Sequence, residues 1–216
     1  MSAHTDLPPF VGLLSRADLP AMRAHLLRLD AADRVQRFAQ PAEDAVIERY
    51  LERLDFGRDA FYGVHATVDG ERRLIGLTQL AVEPGGRIAE IGVSVDADRR
   101  RQGVAGRMLA RAVLHARNLG VAEVVMYFLP YNTELIELAR ALGMKLGVGD
   151  GQGIARLAPA APDAASFACE MVENWGAAAE RGLRGWSEGA LAASQGLAHA
   201  LRGDAAAPEA GRDQLA

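Results

Sequence analysis

The stretch AEIGVSVDADRRRQGVAGRMLARAVLHARNLGV, residues 89–121, decides how this chain is read. Its opening alternates Ile91, Val93 and Val95 with Glu90, Gly92 and Ser94, the period-two pattern of a strand with two unlike faces. Further on, Val104, Met108, Ala112 and Ala116 recur every fourth residue beside Ala105, Leu109, Val113 and Leu119. Arg107, Arg111 and His115 share the opposite face, so the pattern predicts a helix over 103–119, stopped by Gly120. Between strand and helix stand Arg99, Arg100 and Arg101, then Gly103 and Gly106. A helix start exposes unpaired N–H groups and the positive end of its dipole. Small residues at 103, 105 and 106 let an anion approach that backbone, and the arginines add charge. The pattern is R-x-x-G-x-[AG], as Arg100, Gly103 and Ala105; it matches neither G-x-G-x-x-G nor G-x-x-x-x-G-K-[ST]. Alone, it is either a glycine-eased turn with solvated arginines or a pyrophosphate site.

Upstream, FVGLLS (10–15) reads as a short strand, and Asp18 caps a helix with Leu19, Met22, Leu26 and Leu29 on one face. AADRVQRFA (31–39) reads as a turn-like bridge, and Pro41 with Glu43 and Asp44 opens a second helix to about Leu54. Strands near 60–68 and 73–82 flank the Asp-Gly hairpin signal of VDGERR, and EPGGR turns into the strand at 88–95. Downstream, AEVVMYF (122–128) is a strand, and strand–helix–strand at this length implies a parallel pair. Asn132 caps a helix ending at Gly143, and GDGQG (149–153) marks a second hairpin. The expected class is α/β (α+β), a mixed central sheet flanked by helices.

Of the 216 residues, 50% are hydrophobic but only 6% aromatic, so the core must be mostly aliphatic. Residues 1–159 balance their charges, and residues 160–216 hold the whole net charge of −4, which leaves no basic footprint for nucleic acid. The N-terminus lacks a signal-peptide pattern, and no apolar run is long enough to span a membrane. The lone Cys169 fits a reducing cytoplasm, and the five histidines show no ligand spacing, so no metal is expected. Composition shifts at the Pro-Ala linker APAAPD. The expected boundaries are a domain over 8–159 and an alanine-rich tail over 160–216, a marginal amphipathic helix or two followed by disorder. Trp175 and Trp186 could cover an apolar patch on the body or on a second subunit of a homodimer.

The 89–121 stretch, in this order of elements, resembles the GNAT acetyltransferase family over roughly residues 10–157. YNTELIELARALGMKL resembles the family's next segment, and LLRLDAADRVQRF (26–38) is similar to the start of its bacterial protein-lysine acetyltransferase branch. The resemblance implies a GNAT fold and acetyl-CoA as cosubstrate. Its pyrophosphate would lie on the amides of Arg101, Gln102, Gly103, Val104, Ala105 and Gly106 beside Arg100. Its pantetheine arm would run along Val93 and Val95, between the strands at 88–95 and 122–128, with Asn132 bonding an amide or serving only as a cap. Gly92 in that strand marks either close approach of a ligand or a kink.

Acetyl transfer needs a neutral amine, and a lysine amine of pKa about 10.4 is neutral in roughly one molecule in 2,500 at pH 7. Many family members carry a tyrosine acid seven residues after the asparagine, where this chain has Ala139. The protein-lysine branch instead has a strand glutamate ten residues before the arginine, which falls on Glu90. Beside the crevice its carboxylate would be partly desolvated and tuned toward a useful base; otherwise it is a solvent-facing strand residue. Tyr127 and Tyr131 are reserve acids. The expected function is N-acetylation of a primary amine, with a protein lysine ahead of a small molecule. The alternative is a non-catalytic acyl-CoA sensor or scaffold.

Overall fold

Ser15 ends β1 (Val11–Leu14) and caps a 3-10 turn with Asp18, each side chain accepting from the other's backbone. From there α1 (Leu19–Arg28), α2 (Ala31–Phe38) and α3 (Asp44–Glu52) precede an antiparallel meander of β2 (Ala60–Val68), β3 (Glu71–Val82) and β4 (Ile88–Val95). The long helix α4 (Val104–Asn118) then leads into β5 (Glu123–Phe128), followed by α5 (Thr133–Ala141), β6 (Lys145–Gly149) and β7 (Gln152–Leu157). The computed structural model describes residues 10–149 and 151–179. The strands form one mixed sheet in the order β1-β2-β3-β4-β5-β7-β6, with β4 and β5 its parallel pair. Mixed sheet and flanking helices agree with the expected class. At the first hairpin, Asp69 and Gly70 take positive φ of 53° and 82°, the twist a two-residue turn needs.

Both faces of the sheet are covered. Phe61 and Tyr62, adjacent in β2 and fully buried, enter different cores. Tyr62 packs with Leu109, Ala112 and Ala116 of α4, and Phe61 packs with Met22 and Leu26 of α1 and Ile47 of α3.

Two sequence expectations fail here for identifiable reasons. AADRVQRFA is a helix rather than a bridge. Asp30 caps it, its Oδ1 accepting from the Asp33 amide at 2.8 Å, and Ala39 ends it in the left-handed region at φ 55°. Eight residues are too few to hold a helix in isolation. Arg34 anchors this one by donating to the carbonyls of Leu27 and Leu29 at 2.7 and 2.9 Å and to Asp44 at 2.7 Å.

Arg111, expected on the outward face of α4, is only 3% exposed. Residues 164–179 are helical, and Glu170 and Glu173 reach Arg111 at 3.0 and 2.9 Å. The guanidinium carbon lies 4.7 Å from the Tyr62 ring centroid. Burial alone would raise the Glu170 carboxyl, but bonds from Asn118, His115 and Arg111 outweigh it and hold it below its ordinary value. The compact unit accordingly runs through Ala177, beyond the compositional break at 159, and a second unit comprises Ala178–Ala216. Trp175 is exposed. Trp186 and the rest of the expected tail lie outside the described residues.

Candidate functional site

β4 and β5 pair only from Ile88 to Glu90 against Glu123 to Val125. Past that point β4 pairs only with β3 and β5 only with β7, which leaves the facing edges of the parallel pair apart. A cavity of about 470 Å³ opens beside the far end of β4, lined by Val93 and Val95 on β4 and by Leu135 and Leu138 on α5, while Met126 and Tyr127 of β5 line a smaller neighbouring cavity. The expected donor residues Arg100, Arg101, Gly103, Val104, Ala105, Gly106 and Asn132 also line it. Gln102 does not; its side chain is exposed and donates to the Asp98 carbonyl at 3.3 Å.

At the α4 start the backbone is shaped for an anion. Gly103, the N-cap, has φ 75°, and Arg101 has φ 60°, the left-handed region that a side-chain-bearing residue rarely enters. No side chain caps the helix, and a Cβ at Gly103 would meet nothing within 4 Å. The first amide held by the helix ladder is that of Arg107, bonded to the Gly103 carbonyl at 3.2 Å. The amides of Val104, Ala105 and Gly106 are therefore left for a ligand. These free amides at an uncapped glycine fit a pyrophosphate, and the cavity between the end of β4 and α5 fits an extended arm.

The helix missing from the sequence reading supplies three contacts to this cavity. Asp33 of α2 pairs with Arg100, and its bond and charge push that guanidinium further toward the protonated form. Gln36 accepts from Asn132 Nδ2 at 3.0 Å, while Asn132 Oδ1 caps α5 by accepting from Leu135 at 3.0 Å. Arg37 lies over Gly92: a Cβ there would sit 2.7 Å from the guanidinium carbon. What approaches the backbone at Gly92 is this side chain.

A second cavity, of about 330 Å³, takes in Glu90, Gly92, Arg37, Tyr50, Gln79 and Tyr127. Glu90 is exposed, so the partial desolvation expected of it is absent. Its strand face is as expected: Gly92 meets Arg37, and Ser94 Oγ lies 2.9 Å from His25 Nε2. Arg37 donates to the Tyr50 hydroxyl at 2.9 Å, Tyr50 donates to Gln79 at 2.6 Å, and Gln79 donates to Asp59 at 3.0 Å. Burial pushes the Tyr50 phenol up, against the opposing charge of Arg37. Tyr131 is exposed and lines neither cavity. Ala139 is fully buried in the core, away from both.

A brace holds the end of β4 where the chain enters the α4 loop. Asp96 lies 2.9 Å from His25 Nδ1 and 3.0 Å from Arg28. Burial would raise its carboxyl, but the bonds and charges of His25 and Arg28 outweigh that and hold it below its ordinary value. Asp33, Gln36, Arg37, Tyr50 and Gln79 were not singled out from the sequence. The Asp30 cap three residues before Asp33 was the local signal for α2, which carries the first three. Among the described residues no group of three or more His, Cys, Asp or Glu could hold a metal, and no helix is long and apolar enough to cross a membrane.

Residues 25–144 match the model of the acetyltransferase (GNAT) family. Among solved structures, the chain is similar to the GNAT domain of S. lividans PAT, at 19% identity and a TM-score of 0.57, covering 73% of this chain and 99% of that one. A spermidine N-acetyltransferase from Vibrio cholerae, in complex with CoA and spermine, aligns at 18% identity and a TM-score of 0.54, covering 70% and 96%. A ribosomal-protein-alanine N-acetyltransferase from Brucella melitensis aligns at 17% and 0.51, covering 69% and 99%. At these identities the likeness speaks for the fold.

Proposed function

The chain belongs to the acetyltransferase (GNAT) family, and on that premise we propose that it transfers an acetyl group from acetyl-CoA to a primary amine, a protein lysine ahead of a small-molecule amine. The observation that carries this is a single cavity that joins the uncapped α4 start to the end of β4, past its pairing with β5, and to α5. Acetyl-CoA, when bound, supplies an activated thioester carbonyl. The amides of Arg101 to Gly106 would hold its pyrophosphate, and Val93, Val95 and Asn132 would flank its pantetheine arm. Arg100 and Asn132 would share or exchange their present partners Asp33 and Gln36 to do so.

Glu90, on the second cavity, is the proposed base that takes the proton from the acceptor ammonium, a role worth ~10²–10⁴-fold in rate. Its exposure gives it access to solvent, to which that proton is passed on. The preference for a protein lysine draws on the likeness of residues 26–38 to the protein-lysine branch. Work in the cytoplasm suits the free, exposed Cys169, which a reducing compartment keeps as a thiol.

The test follows free thiol while the protein is incubated with acetyl-CoA and a panel of amines, polyamines and lysine-bearing proteins. Amine-dependent thiol release, with the acetylated product identified by mass, supports the reading. Acetyl-CoA binding without release for any acceptor makes the chain a non-catalytic acyl-CoA-binding module. Absence of binding overturns both.

A further inference from the structure

Arg37 has no role in the reaction described so far, and its surroundings are unusual. Arg28, Arg100 and Arg111 each hold a carboxylate: Asp96, Asp33, and Glu170 with Glu173. Arg37 holds none among the described residues. Its one bonded partner there is the neutral Tyr50 hydroxyl, and its Nε is buried without a partner. The guanidinium carbon lies 5.2 Å from the Phe38 ring centroid and 5.4 Å from that of Tyr50, so aromatic faces fix its position. The strand leaves out a side chain at Gly92 to admit it. A held guanidinium with donors to spare is suited to grip a carboxylate with two parallel bonds. Glu90 borders the same cavity two residues along β4, a Cα spacing of ~7 Å. One face of the strand thus presents a cation and a carboxylate side by side, the complement of a molecule carrying both an ammonium and a carboxylate.

We propose that Arg37 determines specificity at the acceptor end by binding a carboxylate that the acceptor carries close to its amine, as in a free amino acid or a lysine flanked by an acidic residue. This rests on the amine-acetyltransferase reading above. A carboxylate could also arrive on the donor, as the far end of a dicarboxylic acyl group on CoA.

The experiment compares matched acceptors on the full chain: glutamate, aspartate, phenylalanine and lysine against their carboxamides, and lysine peptides with Asp or Asn beside the lysine. The expected kcat/KM favours the carboxylate member by roughly 30-fold, the scale of one charge-assisted bond pair. Arg37→Met should bring that ratio close to one, Arg37→Lys should retain part of it, and Tyr50→Phe, which keeps the guanidinium, should preserve it. Thermal melts by circular dichroism show whether each variant is folded. A wild-type ratio near one overturns the proposal while leaving the acetyltransferase reading intact. With a carboxylate-free amine, a preference for succinyl-CoA over acetyl-CoA that Arg37→Met abolishes would move the carboxylate to the acyl group and overturn the acceptor assignment. If no amine is turned over, calorimetric titration of glutamate and its diamide into CoA-loaded protein decides. Acid-selective binding lost in Arg37→Met upholds the site, and its absence overturns it.

Discussion

The two ends of the crevice are built by different means. At the donor end, Arg100 to Gly106 form one unbroken run, and what they offer is mainly backbone: a left-handed glycine, a left-handed arginine and the free amides of a helix start. At the other end, Arg37, Tyr50, Gln79 and Glu90 come from α2, α3, β3 and β4, and what they offer is side chains, the first three linked in series. Backbone geometry tolerates change in most side chains so long as glycine stays where φ is positive. A site built from side chains on four elements depends on the packing that brings those elements together. Chemistry common to a family can rest on the first kind of site, and the choice of acceptor on the second.

The contrast can be broken most sharply at Glu90. Glu90→Gln keeps the size of the side chain and removes the base, so turnover should fall by ~10²-fold or more while acetyl-CoA affinity is retained. A glutamine variant within threefold of wild type on a productive amine would assign the proton to water or to the acceptor itself.

Gly103→Glu acts at the donor end alone. It forces a side chain with a negative charge onto a φ of 75° beside the free amides, so calorimetry should show acetyl-CoA binding weakened at least ~10-fold. Selectivity between matched acceptors should not change. If affinity is unaffected in a folded variant, the α4 start does not hold the pyrophosphate.

Asp33→Asn tests the junction between the ends. It releases Arg100 from its carboxylate partner, a partly buried ion pair worth ~0.5–1 kcal/mol, so acetyl-CoA should bind about two- to fivefold more tightly. Weaker binding would mean that Asp33 chiefly positions α2 rather than competing for the arginine.

The smallest effect on either end should come from Asp96→Asn, which acts on stability. Loss of the negative charge that faces His25 and Arg28 should cost about 2 kcal/mol at pH 7. The Asp96 carboxyl is lowered in the folded state, so its contribution is complete above the ordinary value of about 3.9 and fades as pH falls through the lowered one. Melting temperatures of wild type and variant should therefore converge in acid. A gap that stays constant down to pH 3 would show that the charge is not what stabilises.

Much of the fold was legible because its signals are local. Alternation gave β4, a four-residue recurrence gave α4, and Asp-Gly gave the first hairpin, all within a few residues of each other. That the residues expected to hold the cofactor, Gln102 excepted, line one cavity was legible for the same reason. Arg111 was misread because periodicity reports only which residues share a helix face, and a face becomes interior when another segment lies on it, here the helix at 164–179. Gly92 was read as either the close approach of a ligand or a kink, and the structure puts the Arg37 side chain there.

By itself the sequence determined the order of elements other than α2, the parallel β4–β5 pair and the glycine-shaped start of α4, since these follow from propensity and pattern over short spans. The tertiary structure alone decided that residues 31–38 are helical, that Asp33 holds Arg100, and that Arg37 reaches Tyr50 and Gly92. A helix of eight residues is stabilised by what it docks against. Arg37 lies 13 residues from Tyr50, and Tyr50 lies 29 from Gln79, distances that only packing closes.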